Sequence, residues 1–189
     1  QDDAGRLPVL MPASQVAGCM VPQIAAALSQ NNYGGKGILL GGVPGVPPAD
    51  VVILGAGTVG TAAARTFLGM GATVYVLDRT LERLHTLDRQ YNGRLITMVS
   101  HDFNVEKVCR FADVLVGSVL VPGARTPLVV TREMVRSMRP QSVIMDISID
   151  QGGCVETSRP TTHSAPTYVE EGVIHYCVPN MTSVLGRTA

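Results

Sequence analysis

The chain has no surplus of charge of either sign: 15 Lys and Arg stand against 15 Asp and Glu, and only 16% of its 189 residues are charged. A balance of zero gives no electrostatic footing for nucleic acid or for an anionic membrane surface, so neither is expected as a partner. No apolar run approaches the roughly 20 residues that span a bilayer, which argues against a transmembrane helix. The opening stretch QDDAGRLP is acidic where a secretory signal is basic, and without an initiating Met it reads as a processed or excised piece. Cysteine is sparse. Cys19, Cys109, Cys154 and Cys177 are scattered and form no CxxC pair, which fits reduced thiols in a cytoplasmic setting and no metal site. No internal repeat is visible, and the one stretch of biased composition is rich in glycine and proline.

What is present is apolar and regular. A chain in which 46% of residues are hydrophobic can bury one full core and carry an appendage. Residues 14–29, SQVAGCMVPQIAAALS, place Val16, Cys19, Met20, Ile24, Ala27 and Leu28 at helical spacing, with Ser14 as a candidate N-cap. Pro22 inside that stretch predicts a kink or a start nearer Val21. NNYGGKGILLGGVPGVPPAD then holds too much Gly and Pro for any helix to persist. These features divide the chain into a joining helix and glycine-rich linker over 1–48 and a second unit over 49–189.

The second unit alternates strands and helices. DVVILGAG, TVYVLD, LITMVS, DVLVGSVL and SVIMDISID read as buried strands, with helices in TVGTAAARTFLGMG, LERLHTLDRQY, NVEKVCRFA and TREMVRSM between them. A long polar loop follows, and GVIHYCV makes a sixth strand. Continuous Val/Ile/Leu strands of this kind belong to a parallel sheet covered on both faces. Right-handed connections then leave an α/β doubly wound sheet, the Rossmann fold, as the expected architecture.

GAGTVG joins the first strand to its helix and supplies Gly55, Gly57 and Gly60 at G-x-G-x-x-G spacing, with Thr58 and Val59 between them. Gly55 allows the tight turn, Gly57 lets a diphosphate approach the backbone, and Gly60 lets helix and strand pack closely. The helix then offers free N–H groups and the positive end of its dipole to an anion. Asp78 closes the second strand at roughly the 20-residue spacing of a ribose-binding acid, which predicts NAD over NADP. Arg79 directly follows and is the residue that could receive a 2′-phosphate instead.

Longer stretches are more specific. GGVPGVPPADVVILGAGTVGTAAA, DRTLERL, LVPGARTPLVVTREMVRSMRPQSVIMDISIDQGGCVETSRPTTHSAPTY and GVIHYCVPNM together resemble alanine dehydrogenase, from about Leu7 to Arg187. The transhydrogenases share the Gln-Gly-Gly, but not the run with PTTH and HYCVPNM. The resemblance implies the NAD-binding domain of an enzyme that reversibly deaminates L-alanine to pyruvate and ammonium with hydride transfer to NAD. It also implies that the substrate domain, with the substrate-binding arginine and lysine and a catalytic histidine, is missing. A fragment of this kind is expected to bind NAD and turn over nothing alone. Homo-oligomers, hexamers in the family, are implied as well.

Site residues carried over by the resemblance are Ser14 near the diphosphate, Asp78 and Arg83 around the adenosine, and Ser100 at the adenine. Ser118, Val119 and Leu120 fall on the path to the nicotinamide ribose, and Ile147, Asp150, Asn180 and Met181 surround the nicotinamide. Asp150, at the expected exit of the fifth strand, is the candidate catalytic residue, to orient or activate water; ribose binding explains an acid there equally well, and a cap for the following turn is the structural alternative. Asp146 reads as a structural buried carboxylate, His175 as a core group, and His163 as a solvated loop residue. Cys154 has no evident base to activate it, and Arg125 and Arg159 read as surface charges or partners of loop carbonyls. The chain departs from the family pattern in NMTSVLGRTA, at Ser148, where a small apolar residue is common, and at Pro179. The alternatives are the NAD(H)-binding domain of a transhydrogenase-like protein and a nucleotide-binding module without chemistry.

Overall fold

The computed structural model describes residues 11–121 and 123–188. The acidic opening stretch, and the part of the resemblance before Met11, lie outside them. Seven strands form one sheet: β1 (Asp50–Leu54), β2 (Thr73–Asp78), β3 (Ile96–Val99), β4 (Val114–Gly117), β5 (Val143–Asp146), β6 (Thr167–Glu170) and β7 (Val173–Tyr176). Their spatial order is β3-β2-β1-β4-β5-β7-β6. Every pair is parallel except β6–β7. The chain starts at the centre, steps outward to β3, then crosses to β4, so the order reverses beside β1. That switch point is where an open α/β sheet leaves a crevice at its carboxyl edge.

The helices are α1 (Met11–Leu28), α2 (Thr58–Gly69), α3 (Leu81–Tyr91), α4 (Asp102–Cys109) and α5 (Arg132–Arg136). One core lies between the sheet and α1, α2 and α3, joining Val21 and Ala25 to Val51, Ile53, Phe67 and Met145. The other packs α4 and α5 against Val52, Leu54, Leu115 and Ile144. Burial on both faces explains why the strands are continuous apolar runs without alternation. Among the described residues no helix is long and apolar enough to cross a membrane.

Four expectations need correction. Ser14 is not an N-cap, because α1 already includes Met11 and continues to Leu28. Pro22 does not break or delay it. The proline forfeits its bond to the Gly18 carbonyl, and this is offset by a buried stripe of Ala17, Val21, Pro22, Ala25 and Leu28. Gly18 lets α1 meet α2 closely, since a Cβ there would come within 2.6 Å of Ala62 Cβ. The polar loop before the last strand contains a strand of its own, β6, which pairs antiparallel with β7. The hairpin turns on Glu171 and Gly172, with φ of 52° and 75°. Finally, the fifth strand ends at Asp146, and Asp150 belongs to a short 3-10 turn, Ile147–Gln151.

Candidate functional site

The turn after β1 is held by its neighbours. Gly55 has φ 105°, and a Cβ on it would lie 2.7 Å from the Ser118 carbonyl oxygen. The Ser118 hydroxyl donates to the carbonyls of Leu54 (2.9 Å) and Gly55 (3.1 Å), tying β4 to the turn. Gly60 sits so close behind it that a Cβ would collide with the Gly55 carbonyl. Gly57 differs. Its φ is −79°, ordinary for any residue, and a Cβ on it would meet nothing within 4 Å. Neither strain nor packing explains a glycine there; room beside the α2 amino terminus does. The first helical bond runs from the Thr61 amide to the Gly57 carbonyl, so the N–H groups of Thr58, Val59 and Gly60 have no partner within the helix, and Thr58 and Val59 line that room.

Asp78 ends β2 and is 7% exposed. Its Oδ2 accepts from the Ala56 amide at 2.7 Å, inside the glycine turn, and its Oδ1 accepts from the Thr80 amide at 2.8 Å. Arg83, one turn into α3, brings a guanidinium nitrogen to 3.5 Å of Oδ2. A carboxylate offers about four lone pairs; two are used by the backbone, and the rest suit a pair of vicinal hydroxyls. Arg79 is exposed beside it.

These elements open into one groove of about 680 Å³ at the carboxyl edge of the sheet, within the usual range for cofactor sites. The groove brings together Ser14 of α1; Gly55, Gly57, Thr58 and Val59; Asp78, Arg79, Arg83 and Ser100; Ser118, Val119 and Leu120; and Ile147, Asp150, Asn180 and Met181. Of the expected site residues only Gly60 stays out, buried behind the turn. Ser118 lines the wall while its hydroxyl faces the turn carbonyls. Asp150 is exposed, 3.5 Å from the Asn180 amide, and Asn180 adopts φ 47°.

Met11, Ala13, Ala17, Pro127, Val129, Gln151 and Val178, which the sequence did not mark for the groove, also line it, as does Ser148, noted there for its departure from the family pattern. Of these only Ser148, Gln151 and Val178 carried a signal, their position just after β5 and β7. The groove suits a dinucleotide: an anion cradle at the middle, an acid on the β2 side, and an apolar, amide-bearing end beside β4 and β5.

The remaining candidates sort by burial. Asp146 is 1% exposed and accepts from the amides of Ser148 (3.1 Å), Cys154 (2.9 Å) and Val155 (3.2 Å). Burial raises its pKa, against the bonds it accepts from Ser158 and those amides. It is a structural clasp for the turn. His175 is buried between the Thr157 hydroxyl (2.7 Å) and the Val173 carbonyl (2.9 Å), and stacks on Tyr168. Burial lowers its pKa, so the ring is held neutral. His163 is exposed beside Ser183. Burial drives the Cys154 thiol well above its ordinary pKa, with Asp146 adding to it, so it is no nucleophile. Arg159 lies 4.2 Å over the Tyr168 ring, and Arg125 packs against Gly152.

The comparisons with known proteins agree with this geometry. A family model described as alanine dehydrogenase/PNT, C-terminal domain, matches residues 21–189. An alanine dehydrogenase of Halomonas elongata is 52% identical over 98% of this chain and 50% of its own length. One from Methanococcus maripaludis is 52% identical over 97% and 49%. Among solved structures, an L-alanine dehydrogenase superposes with a TM-score of 0.95 at 46% identity, covering 98% of this chain and 52% of that one. A transhydrogenase from Sinorhizobium meliloti gives 0.78 at 25% identity, covering 100% and 52%. The chain thus spans about half the length of the curated relatives it matches. It belongs to the alanine dehydrogenase/PNT C-terminal domain family.

Proposed function

We propose that this chain is the NAD-binding half of an L-alanine dehydrogenase. The reaction is L-alanine + NAD+ + water ⇌ pyruvate + ammonium + NADH + H+. The observation that carries the cofactor assignment is the open space at Gly57, between unbonded α2 amides and the Asp78 carboxylate. The relatives' names carry the substrate.

In this reading the α2 amides of Thr58 and Val59 hold the diphosphate, with Ser14 opposite. Asp78 and Arg83 hold the adenosine ribose, and Ser100 flanks the adenine. Val119, Leu120, Ile147, Asn180 and Met181 enclose the nicotinamide, with Ser118 supporting the wall. Bound there, NAD supplies the hydride acceptor. Asp150, exposed at that end, orients the water that adds to the iminium carbon, or takes its proton. The substrate pocket and a catalytic histidine belong to the other half of the enzyme. The division at residues 48 and 49, hexameric assembly and a cytoplasmic setting are further parts of this reading, supported by the resemblance.

The transhydrogenase neighbour supports a second reading, an NAD(H)-binding domain whose hydride partner is another nucleotide. Fluorescence titration with NADH and NADPH tests the cofactor: NADH binds, and NADPH binds at least about tenfold weaker because Asp78 repels a 2′-phosphate. Equal affinities contradict it. Adding the separately produced other half, with alanine and NAD+, should restore NADH formation; no restoration in a properly assembled complex favours the second reading.

A further inference from the structure

Three buried side-chain atoms among the described residues lack a hydrogen-bond partner: Thr126 Oγ1, Ser148 Oγ and Gln151 Oε1. All belong to one locality. Ser148 and Gln151 are in the 3-10 turn after β5, and the Thr126 amide bonds the Gln151 carbonyl at 3.0 Å. Unpartnered buried polar groups are costly and uncommon, and three together call for a reason. Ser148 and Gln151 both line the groove, beyond the reach of Asp78 and beside Asp150. With the diphosphate on α2 and the adenosine over β2, the nicotinamide end must cross β4 and β5, directly over this turn.

Hydrogen bonds fix the backbone of the turn, while Ser148 Oγ and Gln151 Oε1 are held by none. Asp146 holds the amides of Ser148, Cys154 and Val155, and the Gly153 amide bonds the Ser148 carbonyl at 3.0 Å. The polar group beside the Ser148 hydroxyl is the Cys154 thiol, a weak partner. Rotation about the Ser148 side-chain bond therefore surrenders no ordinary hydrogen bond and leaves the main chain in place. Serine brings a donor and glutamine Oε1 an acceptor. A primary carboxamide presents the complement, one C=O and an N–H pair.

We propose that Ser148 and Gln151 are a carboxamide-reading pair that turns into the groove to bind the nicotinamide amide and so fixes which ring face meets the substrate. The proposal rests on the NAD reading above. Ser148 donates to the amide oxygen, and Gln151 Oε1 accepts from the amide nitrogen. Both are positioning residues, since neither touches the reacting carbon.

The test is Ser148→Ala in the full chain, read by thermal unfolding and by titration with NADH and ADP-ribose, which lacks the nicotinamide. The variant should unfold about 2–4 °C higher than the parent without nucleotide, because a frustrated hydroxyl is gone. Its NADH dissociation constant should rise on the order of 3- to 10-fold, with ADP-ribose binding unchanged. Gln151→Leu should likewise weaken NADH and spare ADP-ribose. Unchanged NADH affinity in Ser148→Ala, equal weakening toward ADP-ribose, or a lower unfolding temperature overturns the pair while leaving the NAD reading intact. Failure of the parent chain to bind either nucleotide overturns both.

Discussion

The Asp78 carboxylate is bonded to the Ala56 amide at 2.7 Å, so the acid that ends β2 also holds the glycine turn that ends β1. If Asp78 holds the ribose as proposed, recognition and turn geometry share one side chain. Asp78→Ala would leave the Ala56 and Thr80 amides unpaired, at a cost on the order of 2–4 kcal/mol for the two. The expected outcome is a lower unfolding temperature and loss of NADH binding, with no gain for NADPH. Thermal unfolding and nucleotide titration check it; a stable variant that prefers NADPH would contradict the shared role.

Two glycines of the same turn should respond oppositely. Gly57→Ala should keep its stability within about 1 kcal/mol, since its φ is ordinary and a Cβ meets nothing. It should nonetheless weaken dinucleotide binding at least about tenfold by filling the cradle. Gly60→Ala forces a Cβ into the Gly55 carbonyl and should destabilise by several kcal/mol, on the order of 2–4. Denaturant titration and NADH fluorescence together separate the two.

His175 gives the fold a defined acid sensitivity. Burial holds its pKa below the ordinary value, so below about pH 6.5 the unfolded chain takes up a proton that the folded chain refuses. Its contribution to stability is present above pH 6.5 and is lost as pH falls from there toward the folded value. Unfolding temperature should decline between pH 7 and 5, with a shallower slope in His175→Leu, whose overall stability is also lower.

Thiol labelling should distinguish one cysteine from three. Cys109, Cys154 and Cys177 are buried and Cys19 is partly exposed. Burial pushes Cys109 up to about 12, with Glu106 adding to it, and raises Cys154 and Cys177 as well. In native buffer near pH 8 only Cys19 should react quickly; all should react after denaturation.

Much of this was legible in the sequence because the signals were local. β1, β2, β4 and β5 announce themselves as apolar runs, and G-x-G-x-x-G between strand and helix marks the groove. Ser14 lines the groove without being a cap, because α1 already includes Met11 and the local signal of a serine before an apolar run does not fix a helix boundary. β6 was hidden because edge strands need only one buried face: Thr167, Tyr168 and Glu170 read as loop residues, and the pairing with β7 depends on a turn at Glu171, a residue seldom at positive φ. The unpaired atoms of Ser148 and Gln151 had no signal at all, because whether a polar atom finds a partner depends on three dimensions.

The shared hydrogen bond of the Ser118 hydroxyl to the Leu54 and Gly55 carbonyls, with Asp78 on Ala56 from the other side, has a kinetic meaning. The anion cradle is assembled from three strands before any nucleotide arrives. Association then has little loop ordering to complete at that end, and encounters that bring the diphosphate to α2 are productive at once. On the proposed placement of the dinucleotide, capture should therefore begin with the phosphates at α2 and finish at the ring.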